Sequence, residues 1–103
     1  MSVLEIAAIE IAPDRRKEFE EVFANAVSFV RAADGQLGSR LMADAERPGH
    51  YVFLVTWREL TDHTEGFVGS PGFQSFDELI GPFLLSAPQV SHVVSAVGGE
   101  VEL

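Results

Sequence analysis

The elements readable in this 103-residue chain follow the order strand, helix, strand, strand, helix, strand, and predict an α+β fold. The arrangement is a ferredoxin-like βαββαβ unit, a four-stranded antiparallel sheet with both helices on one side. Three observations carry that prediction. An apolar stripe at helical spacing runs from Phe19 to Ala33. A β-branched and aromatic run without a breaker fills residues 50 to 58. A Ser70-Pro71 pair opens a second helix, with Ser at the cap and Pro in the first turn.

Residues 3 to 11 are rich in Val, Ile, Leu and Ala and read as a strand apolar on both faces. Pro13 ends it, and Asp14 is positioned to cap the helix that follows. Phe19, Val22, Phe23, Ala26, Phe29, Val30 and Ala33 form that helix's core stripe, and Asp34 and Gly35 stop it. Residues 36 to 43 give a weaker strand, and residues 44 to 49 (DAERPG) a polar turn. After the strand at 50 to 58, LTDHTEGF reads as a short helical turn capped by Thr61. The second helix presents Phe73, Phe76, Leu79, Ile80 and Phe83 to the core, and Gly81 and Pro82 end its regular part. Residues 89 to 97 alternate as a last strand. The tail GGEVEL is polar and Gly-led, and its order is expected to depend on a partner. A single domain over residues 1 to 103 is the expected organisation.

The strand at 50 to 58 is two-faced. Tyr51, Phe53, Val55 and Trp57 lie on one side, and His50, Val52, Leu54, Thr56 and Arg58 on the other. Two helices cover only one side of a four-stranded sheet. The other side leaves a contiguous apolar patch, which marks an interface. A homodimer with the two sheets face to face is the expected assembly.

Sixteen acidic against seven basic residues give a net charge of −9, which argues against binding nucleic acid or an anionic membrane. The absence of cysteine excludes disulfides, thiolate-held metals and thiol catalysis. Glu5 and Glu10 interrupt the apolar start, so no signal peptide is read there. No run approaches the roughly 18 apolar residues of a membrane span. The expected setting is the cytoplasm.

No nucleotide, metal or nucleophile-elbow motif occurs, so neither a metal nor a cofactor is expected. Gly66, Gly69 and Gly72 form a flexible loop, not a phosphate cradle. The chemistry-bearing candidates are few, and each has two readings. Trp57 is either a core aromatic or the wall of a pocket that stacks on a planar ligand. His63 is either a surface residue or a general base. His92, in step with Val90 and Val94, faces either a pocket or the dimer interface. Arg40 is a solvated edge residue or the one cation entering a pocket. Asp77, four residues after Phe73, is exposed or a pocket carboxylate.

The stretch YVFLVTWRELTDHTEGFVGSPGF resembles the antibiotic biosynthesis monooxygenase family, in its strand ending at Trp57 and its Ser70-Pro71 and Phe73. The opening strand, Pro13 and the helix with EFEEVF are also similar to that family. The resemblance implies a dimeric α/β barrel and, in some members, cofactor-free oxygenation of aromatic polyketides or hydroquinones. Haem-degrading members carry an Asn on the first strand and a haem-ligating His on the second helix. Those positions fall at about Ala7 and Asp77 here, so haem degradation is not expected. Quinol-type members carry a His at the position of Gly66, and His63, nearly one turn earlier, is the substitute candidate. The expected function is a cofactor-independent monooxygenase of a phenol or hydroquinone. In it His63 and Trp57 are the catalytic pair, and Phe53, Phe76, Arg40, His92 and Asp77 bind substrate. A non-catalytic small-molecule binding or stress-associated protein, or a haem-binding relative without turnover, is the alternative.

Overall fold

The structure, a computed structural model, describes residues 1–103. Its elements are β1 (Val3–Glu10), α1 (Arg16–Arg31), β2 (Gln36–Ala43), β3 (His50–Trp57), α2 (Pro71–Ile80) and β4 (Gln89–Val93). The strands run in the order β2-β3-β1-β4, antiparallel at every neighbour, which is the ferredoxin-like arrangement. No helix is long and apolar enough to cross a membrane.

Both helices cover one face of the sheet. Along β1 that face carries Glu5, Ala7 and Ile9, and along β3 it carries Tyr51, Phe53, Val55 and Trp57, all of them buried. From α1, Phe19, Phe23, Ala26, Val27 and Val30 are buried against it, with Val22 and Phe29, and Ala33 just past its end, at the margin. The aromatic members interlock: Phe23 meets Phe53 edge to face at 4.9 Å, and Phe19 lies 5.0 Å from Tyr51. α2 begins as its sequence dictates, with the Ser70 hydroxyl accepting from the Phe73 N–H at 3.2 Å.

Several local expectations are corrected. Asp14 does not cap α1. It sits in a short 3₁₀ turn, Pro13–Arg15, and Arg15 stands at the cap position, where its side chain makes no capping bond. Thr61 does not cap the turn after β3, because its backbone is already helical. Asp62 organises that turn instead, accepting from the Glu59 N–H at 3.0 Å and pairing with Arg58 at 2.8 Å. Gly35, at φ +84°, lets the chain pass where a β-carbon would collide with the Asp62 carboxylate. Leu79 is exposed: at about 100° per residue Phe73, Phe76 and Ile80 share one arc and Leu79 falls outside it. β4 ends at Val93, since its partner β1 pairs no further than Leu4, and residues 94 to 97 have no strand to join.

The other face of the sheet carries Leu4, Ile6, Val52 and Leu54, half-buried, with Met42 and Val93 exposed beside them. The irregular tail folds back over one end of this face on its own chain. Glu100 accepts from the N–H and hydroxyl of Ser2, and Leu103 rests against Gly38.

Candidate functional site

A cavity of about 340 Å³ lies between the helix-bearing face of the sheet and α2. Four elements supply most of its wall, with Val30 of α1 and Val90 of β4 completing it. β1 supplies Glu5, Ala7 and Ile9, and β3 supplies Phe53 and Trp57. The turn after β3 supplies His63 and Phe67, and α2 supplies Phe73, Phe76 and Ile80. The volume is at the small end of ligand pockets, which run from about 300 Å³ upward. Nearly all of the lining is apolar, and no cationic side chain reaches it.

The turn Asp62–Phe67 is π-helical, closed by a bond from the Val68 N–H to the His63 carbonyl at 3.0 Å. Such turns are rare and frequent at functional sites. Here the turn directs both His63 and Phe67 inward, where they are buried. The His63 ring stacks on Trp57, centroids 5.2 Å apart and planes 19° from parallel.

These two rings converge on one carboxylate. The Trp57 indole Nε1–H donates to Glu5 Oε1 at 2.9 Å, and His63 Nε2 lies 3.3 Å from the same oxygen. His63 Nδ1 is 2.8 Å from His92 Nε2. Glu5 is 6% exposed, His63 8% and Trp57 0%. The second oxygen of Glu5, Oε2, takes no hydrogen bond from the protein, and Glu5 lines the cavity. Register explains the grouping: Glu5 stands directly across from His92 on β4 and diagonally from Trp57 on β3.

Burial pushes the Glu5 carboxyl above its usual range, and the Trp57 hydrogen bond opposes that in part. Burial, aided by the nearby His92, pulls the His63 imidazole down to about 4. Both members of the pair are driven toward their uncharged forms. With His63 neutral and Glu5 ionised, the His63 proton belongs on Nε2, facing the carboxylate, and Nδ1 accepts from His92.

The lowered His63 value has a consequence for stability. Between pH 6.5 and about 4 the unfolded chain binds a proton that the folded chain does not. Stability is therefore full above pH 6.5 and falls as pH drops toward 4, by on the order of 2–3 kcal/mol. Glu5, whose folded value is raised, acts with the opposite sign above 4.5. Thermal melts of wild type and His63→Phe across pH 4 to 7 isolate the His63 share: the variant should lose that acid-side fall, and an unchanged fall would refute this assignment.

The structure brings Trp57, His63, Phe53 and Phe76 to one cavity, with exposed Asp77 at its rim. His92 is reached through His63 and does not line the cavity itself. Arg40 is elsewhere. It lies across from Leu54 on the edge strand β2, exposed and outside this cavity, at the margin of a separate groove between α1 and β2. No group of three or more His, Cys, Asp or Glu side chains converges as a metal site, and the two ring nitrogens of His63 face different partners. Glu5 is the residue that sequence reading missed. Its signal was present: it falls in step with Ala7 and Ile9, the buried phase of β1, where an unpaired carboxylate is costly.

Comparison with known proteins places these features. A curated relative, the uncharacterized protein YczJ of Bacillus subtilis, is 34% identical over 90 residues, covering 87% of this chain and 95% of its own. The solved structure of a candidate antibiotic biosynthesis monooxygenase from Bordetella bronchiseptica superposes with a TM-score of 0.89. It is 31% identical, over 93% of this chain and 98% of that one. SnoaB, a cofactor-independent oxygenase from Streptomyces nogalater, shares the fold with a TM-score of 0.79 at 18% identity, over 94% of this chain and 95% of its own. The sequence model of the family described as antibiotic biosynthesis monooxygenase (ABM) matches residues 2–79. The chain belongs to the antibiotic biosynthesis monooxygenase family.

Proposed function

We propose that this chain is a cofactor-independent monooxygenase that oxidises a small aromatic phenol or hydroquinone. The observation that carries this reading is the free Glu5 Oε2 beside an aromatic-walled cavity free of cationic side chains. Such a cavity suits a flat, neutral substrate with one hydroxyl to donate. The ring lies against Phe53, Phe76 and Trp57, and the hydroxyl meets Glu5 Oε2.

Glu5 takes the phenolic proton. A carboxylate raised by burial is better matched to a phenol than an ordinary one. The phenolate gives one electron to O₂, superoxide and the phenoxyl radical combine at a ring carbon, and the peroxide anion so formed takes the proton back from Glu5 to become a hydroperoxide. Loss of water, using that carbon's hydrogen, leaves a carbonyl. One oxygen atom enters the product and the other leaves as water, so phenol plus O₂ gives quinone plus H₂O with no external reductant. The protein contributes orientation, a dry environment and the base. Sequence reading gave His63 that last role. Its ring nitrogens are engaged by Glu5 and His92, so the base moves to Glu5 and His63 holds it.

Oxygen uptake with 1,4-dihydroxynaphthalene, run with and without chelator, tests the reading. Protein-dependent uptake that survives the chelator is expected. No uptake across a panel of phenols and hydroquinones, with binding retained, would favour the non-catalytic alternative. The apolar row Leu4, Ile6, Val52 and Leu54 further supports a homodimer through the open sheet face. Sedimentation equilibrium should then give about twice 11.2 kDa, and a monomer at micromolar concentration would refute it.

A further inference from the structure

We propose that the cavity selects its substrate by charge, that Asp77 at its rim sets the selection, and that the favoured class is a phenol or hydroquinone carrying a protonated amine on a short side arm. The proposal rests on the reading above, in which the hydroxyl meets Glu5, and extends it to the end of the substrate that stays at the mouth.

The polar side chains of the lining are Glu5, His63 and Asp77. Both ring nitrogens of His63 are engaged, by Glu5 and by His92, and burial keeps the ring uncharged near neutral pH. The charges a ligand meets are therefore two carboxylates, one buried and one exposed, with no cationic side chain to offset them. The ring that enters is neutral. An anionic substituent is repelled at either end, and a cationic one at the mouth is attracted.

Helical phase puts Asp77 there. Phe73, Phe76, Asp77 and Ile80 follow the spacing i, i+3, i+4, i+7 and share one arc of α2, and all four line the cavity. Asp77 interrupts that apolar arc as Glu5 interrupts the buried phase of β1. Its neighbour Glu78, also exposed, falls outside the arc and does not line the cavity. The arginines that form ion pairs are committed elsewhere: Arg15 to Glu18, Arg47 to Asp44, and Arg58 to Asp34 and Asp62. The Asp77 carboxylate is left to act on what enters.

Ethylhydroquinone, aminoethylhydroquinone and carboxymethylhydroquinone share one ring and differ in the charge of the arm. Isothermal titration without oxygen, at low salt and near neutral pH, compares them. The amine should bind wild type about two- to fivefold more tightly than the ethyl compound, the range of an exposed ion pair. The carboxylate should bind roughly tenfold or more weakly than the ethyl compound. Added salt should shrink both differences. Asp77→Asn should abolish the ratio between amine and ethyl compound. Glu78→Gln removes the same charge from the same helix outside the cavity, and should keep that ratio. An amine bound no better than the ethyl compound, or a carboxylate bound as well, overturns the proposal. So does a ratio that survives Asp77→Asn or falls equally in Glu78→Gln. Failure of all three to bind overturns both this proposal and the substrate reading. Oxygen uptake with the same compounds separates the two: turnover without charge preference leaves the oxygenase and overturns the selection. Charge preference without turnover overturns the oxygenase and leaves the selection as a property of binding.

Discussion

Glu5→Gln should lower turnover of a hydroquinone by about 10²–10⁴-fold while leaving the chain as stable as before or more so. The two effects separate because Gln has nearly the shape of Glu. Its carbonyl oxygen still accepts from the Trp57 indole, so that buried donor keeps its partner. What is lost is the charge, whose burial raises the carboxyl's value and opposes folding. The sign follows from linkage. The folded chain holds the Glu5 proton to higher pH than the unfolded chain, so stability falls as pH rises from 4.5 through the raised value. The variant should lose this fall. Steady-state kinetics and thermal melts read the two effects on one sample. Unchanged turnover would remove Glu5 from the reaction, and a large loss of stability would show that its charge is structural.

Trp57→Ala should be the most destabilising substitution at the site, by about 3–5 kcal/mol, a large share of a small domain's stability. Trp57 is fully buried, lies 5.8 Å from Phe67 and stacks on His63. Its loss leaves a cavity and strips Glu5 of its indole donor. Trp57→Phe separates the two contributions. The ring fills much of the space, and only the N–H is gone. Since that hydrogen bond holds the Glu5 value down, the variant should move the rising limb of the pH–rate profile to higher pH. Denaturant titration checks the first substitution and the pH profile the second. A Phe variant with an unmoved limb would dissociate the indole from the control of Glu5.

The architecture was legible in the sequence because its signals are local. The helical stripe of α1, the Ser70-Pro71 start and the unbroken β3 each depend on neighbours within a few residues. So did the parity of β3, which put Tyr51, Phe53, Val55 and Trp57 together on one side. The site depended on longer-range facts. Arg40 falls outside the cavity because β2 is weakly patterned and carries an irregularity between Gln36 and Gly38. His63 and His92 are 29 residues apart and meet only through the β1–β4 register and an inward-facing π turn. Asp14 and Thr61 have the right chemistry for caps, yet the backbone enters each turn already helical, which a single residue does not reveal. Glu5 could have been found. A carboxylate in phase with Ala7 and Ile9 breaks the pattern of a buried strand face, and such breaks are expected where function lies.

The central claim is that the cavity holds an aromatic hydroxyl against Glu5 and ionises it. The absorption spectrum of 1,4-dihydroxynaphthalene bound to the protein without oxygen, at a pH well below its own ionisation, tests this directly. Wild type should show the bound phenolate and Glu5→Gln the neutral hydroquinone. A neutral spectrum in wild type, or the same phenolate band in both proteins, would contradict the claim.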